Sequence, residues 1–329
     1  MLSMRSTRRC VLFVVCATSA VLVHAQGRTA KTSSDGPPVH GSKVGYIDDA
    51  VVDSQVRVRF DAAFDDSQID MAELLFAESS FHQSAAAGLG PGLAKSLNFQ
   101  QLYMRGEYAP KKFLSFLVDV PVRFIQPQGF VSTTPPTAAF GDQGGLSDIS
   151  VGMKWAALAR TKEYITFQLI GTFPSGDSTK GLGTHHFTVA PEVLWYQKVT
   201  NRLTVESEFG DSHPIGGDTP GFAGDVMVYG VGPSYAVYQS EKVRFAPVVE
   251  LVIWRVFGGN WTNLELLSQT PPVVPPIDVA GGSNIMNLKF GARTTIGKDN
   301  SFYVGYGHKL TTDNFWYTQI VRVEYRRSF

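Results

Sequence analysis

Twelve stretches between Gln55 and Phe329 alternate apolar and polar residues with a period of two, and the connections between them alternate short and long along the whole chain. Period two gives a strand two faces that meet different surroundings. Phe113–Phe124 is the clearest case, with Leu114, Phe116, Val118, Val120, Val122 and Phe124 against Ser115, Asp119 and Arg123. The others are Gln55–Phe64, Asn98–Tyr108, Gly145–Ala156, Tyr164–Phe173, Phe187–Lys198, Arg202–Gly210, Asp225–Gln239, Val243–Val256, Asn284–Ile296, Ser301–Leu310 and Tyr317–Phe329. Tight turns fall at Ala109–Lys112, Leu158–Glu163, Thr200-Asn201, Ser240–Lys242 and Gly297–Asn300. Longer connections fall at Asp65–Leu97, Ile125–Gly144, Pro174–His186, Asp211–Gly224, Gly258–Ser283 and Thr311–Trp316. Hairpins of a water-soluble sandwich have no reason to sort by length, whereas a membrane barrel keeps its short turns at one end. Backbone groups in hydrocarbon must all be paired, so such a sheet closes on itself. The expected fold is all-β: a closed antiparallel transmembrane barrel of about 12 strands, with short periplasmic turns and longer extracellular loops.

The start of the chain agrees with export. Arg5, Arg8 and Arg9 precede the apolar run Val11–Val23, and Val23-His24-Ala25 offers a cleavage site, so residues 1–25 read as a signal peptide. Both cysteines, Cys10 and Cys16, lie within it, so the exported chain is expected to have no disulfide. Lys+Arg and Asp+Glu each number 29, and cleavage removes three arginines and no acid, leaving a net charge of about −3. That balance argues against nucleic acid as a partner, which needs a basic face. Residues 26–53 are polar and rich in Gly, Ser, Pro and Asp, and read as a flexible periplasmic lead-in, the alternative being a plug, for which the segment is short. Residues 54–329 form the barrel.

Alternation assigns a lumen lined by Arg57, Arg59, Asp61, Arg105, Glu107, Asp119, Arg123, Asp148, Lys154, Glu192, Glu206, Glu208, Arg244, Glu250, Lys289, Arg293, Arg322, Glu324 and Arg326. A ring of one sign would imply ion selectivity. This mixture implies a ladder of ion pairs, and the closing strand is expected to set Arg326, Glu324 and Arg322 opposite Arg57, Arg59 and Asp61. Pro121, Pro191, Pro233 and Pro247 each remove a ladder donor and are expected at bulges or strand ends. Tyr108, Trp155, Trp195, Tyr325 and Phe329 sit near the turn ends, where an aromatic girdle belongs. The terminal Phe329 resembles the signal read by barrel-assembly machinery. His185-His186 and His213 lie beside Gly-rich or acidic residues, but adjacent side chains point apart, which makes poor metal or triad geometry. No cofactor, metal or catalytic group is expected, and the chain does not read as an enzyme.

Three stretches, Gly145–Trp155 (GLSDISVGMKW), Phe173–Thr184 (FPSGDSTKGLGT) with the following LWYQKVTNRL, and Phe302–Thr311 (FYVGYGHKLT), resemble the phenol-degradation MetA-pathway family of outer-membrane barrels. The resemblance runs from about Asn98 to Phe329. It implies a cell outer-membrane location, contact with outer-membrane lipid and passive passage of small or hydrophobic solutes, aromatic ones included. The competing expectation is a structural or adhesive barrel with a packed lumen. The first long loop, with its helix-like MAELLFAE (residues 71–78), lies outside the resemblance.

Overall fold

The computed structural model describes residues 40–68, 94–130, 141–216, 223–273, 277–312 and 316–329. The signal-peptide expectation, residues 26–39 of the lead-in and the helix-like 71–78 lie outside them. Twelve long strands run in chain order: β1 (Gln55–Asp66), β2 (Ala94–Lys111), β3 (Leu114–Phe130), β4 (Ile149–Arg160), β5 (Glu163–Phe173), β6 (Phe187–Lys198), β7 (Leu203–Ile215), β8 (Asp225–Tyr235), β9 (Val243–Phe257), β10 (Asn284–Ile296), β11 (Asn300–Lys309) and β12 (Gln319–Ser328). Each pairs antiparallel with the next, and β12 pairs with β1, so the sheet has no edge.

The closing seam carries the register expected from alternation: Arg57 opposite Arg326, Arg59 opposite Glu324, Asp61 opposite Arg322. The Arg322 guanidinium donates to both Asp61 oxygens, Nε to Oδ1 at 2.7 Å and the second nitrogen to Oδ2 at 2.8 Å. Phe329 extends the seam by donating its backbone N–H to the Ser54 carbonyl, while its ring is 68% exposed. One parity of every strand faces outward and is apolar, with Phe116, Trp155, Phe290 and Phe302 among the exposed side chains. The other parity is buried, including Lys154, Glu206, Glu250 and Arg293. In water this would be inside out; in lipid it is the arrangement the hydrophobic effect favours.

β2 and β3 outrun the apolar alternation, pairing as far as Ala94 and Phe130. Gln126 and Gln128 continue the ladder past the point where the outward face stops being apolar, so the hydrophobic pattern ends before the hydrogen bonds do. The prolines meet the expectation only in part. Pro191 and Pro233 interrupt a ladder for two residues, Ala190 to Pro191 against β7 and Gly232 to Pro233 against β9, with no change of register on either side. Pro121 lies beside a break in the neighbouring chain, where Ser147 donates its N–H to the Pro121 carbonyl. At Pro191 and Pro233 the missing donor leaves a gap in the ladder, and beside Pro121 the neighbouring chain gains one residue, as in a bulge.

Replacing Arg322 by Met strands Asp61 in the interior and is expected to cost about 3–5 kcal/mol. The double change Arg322→Met with Asp61→Leu is expected to recover most of that loss. Urea unfolding of the folded barrel, followed by its heat-dependent gel mobility, measures both; equal losses in the two proteins would contradict the pairing.

Candidate functional site

Residues 40–53 were expected to be a flexible lead-in, and the structure corrects this. The segment enters the barrel from the short-turn end, rises to mid-height near Tyr46 and returns, with His40 Nδ1 and Asp53 Oδ2 3.1 Å apart at its base. Its backbone makes no regular ladder, so its polar groups must be satisfied by side chains of the wall. Glu250 on β9 accepts from three successive amides, Gly45 at 3.2 Å, Tyr46 at 2.7 Å and Ile47 at 3.0 Å. Glu208 accepts from Asp48 N at 2.8 Å, and Glu206 accepts from Lys43 N. The carbonyls are met by arginines: Arg293 Nε donates to Val44 O and Arg322 donates to Gly45 O, both at 2.9 Å, and Arg326 donates to Ser42 O. Thr166 on β5 donates to Ala50 O. Acids on the wall thus hold N–H groups and bases hold C=O groups, which is why both signs line this lumen.

Two apolar contacts complete the seat. Val44 and Ile47 pack with Val248, Val252 and Tyr303, and Ala50 and Val51 pack with Leu194 and Tyr196. Tyr303 points inward and lies so close over Gly45, Gly291 and Gly305 that a Cβ on any of them would collide with its ring. Gly230 and Gly232 on β8 make room for Ile47 in the same way. The inward face of β8 reads Gly230, Gly232, Ser234, and that of β11 includes Ser301, Gly305 and Gly307, where β7 and β12 carry long side chains. Room left on one wall is the sequence signal that something else fills the lumen.

The sequence-assigned lumenal residues fall into groups. Arg105 pairs with Asp119 at 2.7 Å and lies 3.9 Å from Asp48 of the plug. Lys154 pairs with Glu107 at 3.1 Å. Arg293 pairs with Glu324 at 2.9 Å, and Arg57 lies 3.7 Å from Glu324. Arg59 stands 3.4 Å from Asp61 with its guanidinium over the Tyr103 ring. Glu192 accepts from Gln168, which also donates to Asp48. Arg123 donates to Gln101, and Arg244 donates to the Arg202 carbonyl near the short-turn end. Asp148 is buried in the break just before β4, between Leu146 and Ile149, and ties down the 174–186 connection, accepting from Gly176 N and Thr184 N at 2.9 and 2.8 Å.

Above the plug the inward parity turns apolar. Ala63, Phe99, Ile125, Val256, Ile285, Ile320, Trp316 and Tyr317 form one buried cluster at the long-loop half. Lys289 marks the boundary, 3.9 Å above the Tyr46 ring and hydrogen-bonded to Tyr317 Oη at 3.1 Å. Among the described residues no group of three His, Cys, Asp or Glu side chains could hold a metal ion.

No protein family model matches the chain, and no curated protein matches it. Among solved structures, the crystal structure of an outer membrane channel from Pseudomonas putida F1 is similar at 13% identity, with a TM-score of 0.51, covering 84% of this chain and 96% of that one. The NanC porin is similar at 8% identity and a TM-score of 0.42, covering 83% and 98%. The KdgM porin is similar at 10% identity and a TM-score of 0.41, covering 84% and 99%. At these identities the likeness is one of fold.

A cysteine placed at Val44 reports the plug, because residues 26–329 contain no other. Val44 is fully buried, so a bulky thiol reagent is expected to label Val44→Cys slowly. Adding Glu250→Ala removes the acceptor of three amides, and labelling is expected to rise about tenfold, as loss of a charged hydrogen-bond partner would allow. Equal rates would mean that Glu250 does not hold the segment.

Proposed function

We propose that this chain is a passive outer-membrane channel for small solutes, closed at rest by its own segment 40–53. The observation that carries the reading is the character of the plug. It is held in the lumen by hydrogen bonds between side chains of the wall and its backbone, and not by a continuous ladder or a covalent link. Such bonds can be exchanged for water one at a time, at a net cost of about 1.5–3 kcal/mol for each that involves a charged group. The short-turn end from which the plug enters is then the periplasmic end. The exposed girdle of Tyr108, Trp155 and Trp195 supports a wall set in the outer membrane, with lipid against its apolar face. Insertion by barrel-assembly machinery belongs to the same reading, with Phe329 as the contact. The resemblance of Gly145–Trp155 and its companion stretches to the MetA-pathway barrels points toward small hydrophobic solutes.

The second reading is a structural barrel whose lumen is filled for good. The depth of burial along the plug favours it, since Val44, Val51 and Ala50 are all essentially inaccessible.

Planar-bilayer recordings separate the two. A protein lacking residues 40–52 is expected to conduct at least several-fold more than the intact chain, whose conductance is small and intermittent. If neither form conducts and neither supports solute-dependent swelling of proteoliposomes, the channel reading falls.

A further inference from the structure

The boundary between plug and apolar half gathers polar groups that the wall does not satisfy. Asn287 and Lys289 are two residues apart on the inward face of β10 and are 1% and 2% exposed. Neither amide atom of Asn287 has a hydrogen-bond partner, and the same is true of Trp316 Nε1 and Tyr46 Oη. Lys289 donates to Tyr317 Oη but has no carboxylate within salt-bridge distance among the described residues. The neighbouring arginines are already committed, Arg322 to Asp61 and Arg293 to Glu324. Around these groups stand aromatic walls: Trp254 and Trp316 have ring centroids 5.2 Å apart, and Lys289 Nζ lies 5.1 Å from the Trp254 ring. Ile285, directly opposite Trp254 on the next strand, and Val256 are buried in the same cluster.

A buried polar atom without a partner costs about 1–3 kcal/mol, so several in one place need a common explanation. Four of these groups donate, an ammonium, an indole N–H, an amide NH2 and a phenol O–H, and one, Asn287 Oδ1, accepts. Donors around a cation that no carboxylate contacts directly call for an acceptor that carries negative charge and more than one lone-pair direction. The flanking indoles and aliphatic side chains call for an apolar body. We propose that Lys289, Asn287, Trp316 and Tyr46 form a binding site for a small organic monocarboxylate, its carboxylate on Lys289 and Asn287 and its apolar tail against the outer side of the packed Trp254–Trp316 pair. Tyr46 is the tip of the plug, so a bound carboxylate touches the element that closes the lumen. The part this site plays in transport rests on the channel reading; the site itself does not.

Hexanoate and its uncharged counterpart hexanamide are the probes, titrated calorimetrically into the folded barrel from Gln26 onward in detergent. Saturable hexanoate binding is expected, with hexanamide about tenfold weaker for loss of the charged contact. Lys289→Met is expected to abolish that preference, Lys289→Arg to restore it, and Asn287→Leu to weaken hexanoate about fivefold, near the lower bound for one hydrogen bond. Heat-dependent gel mobility checks that each variant is folded, and Asn287→Leu carries the test if Lys289→Met is not. Equal binding of the two probes, no saturable binding, or unchanged affinity in folded variants would overturn the site, with ordered water as the partner of these groups. A barrel that binds hexanoate but conducts neither with nor without residues 40–52 keeps the site and loses the channel; one that conducts but binds neither probe does the reverse.

Discussion

The interior of this barrel is governed by the cost of a charge that is buried and unpaired. Strand alternation delivers ionisable side chains to the lumen from both sides of the seam, and the register there places Arg57 directly opposite Arg326. Two guanidinium groups facing each other in a water-poor space repel. The wall settles only half of the conflict, through Glu324 near Arg57. Arg326 is settled from outside the wall, by Asp49 at 2.8 Å and by the Ser42 carbonyl. The barrel and its plug are therefore one electrostatic object, and the seam is fully neutralised only when both are in place.

This dependence explains the mixed charge of the lumen better than selectivity does. A peptide backbone offers donors and acceptors in equal number, and a segment without regular structure must find partners for each. Glu206, Glu208 and Glu250 serve the amides, while Arg293, Arg322 and Arg326 serve the carbonyls. Among the described residues, the long-loop half is held mainly by an apolar cluster of inward side chains packed on one another. Polarity along the axis thus follows what each level has to bind.

Much of this was legible in the residues. Strand parity, the alternation of turn lengths and the register of the closing seam follow from period-two pattern and from the need to remove sheet edges. A plug was legible only as the alternative to a flexible lead-in, because its hydrogen bonds go to side chains scattered from β5 to β12 and leave no periodic trace in residues 40–53. The small inward residues of β8 were visible but have meaning only once their neighbour is known. The partners of Asp148 were hidden for a related reason. Parity places it on the inward face, but it falls in a two-residue break that alternation cannot see, and there it holds a loop. The unsatisfied cluster at Asn287 and Trp316 was hidden too, since it joins a strand, a loop and the plug tip.

The position of the plug in the chain sets an order of events. Segment 40–53 emerges before any strand, yet its partners include Arg322 and Arg326 of the last strand, 277 and more residues away. Contacts so distant in sequence form late, after shorter-range pairings have reduced the entropy of bringing them together. The segment made first is seated last. Its docking reads out whether β12 has met β1 in the right register, since a slip by one residue would turn Arg322, Glu324 and Arg326 toward lipid. The plug is then a proof of closure as well as a stopper.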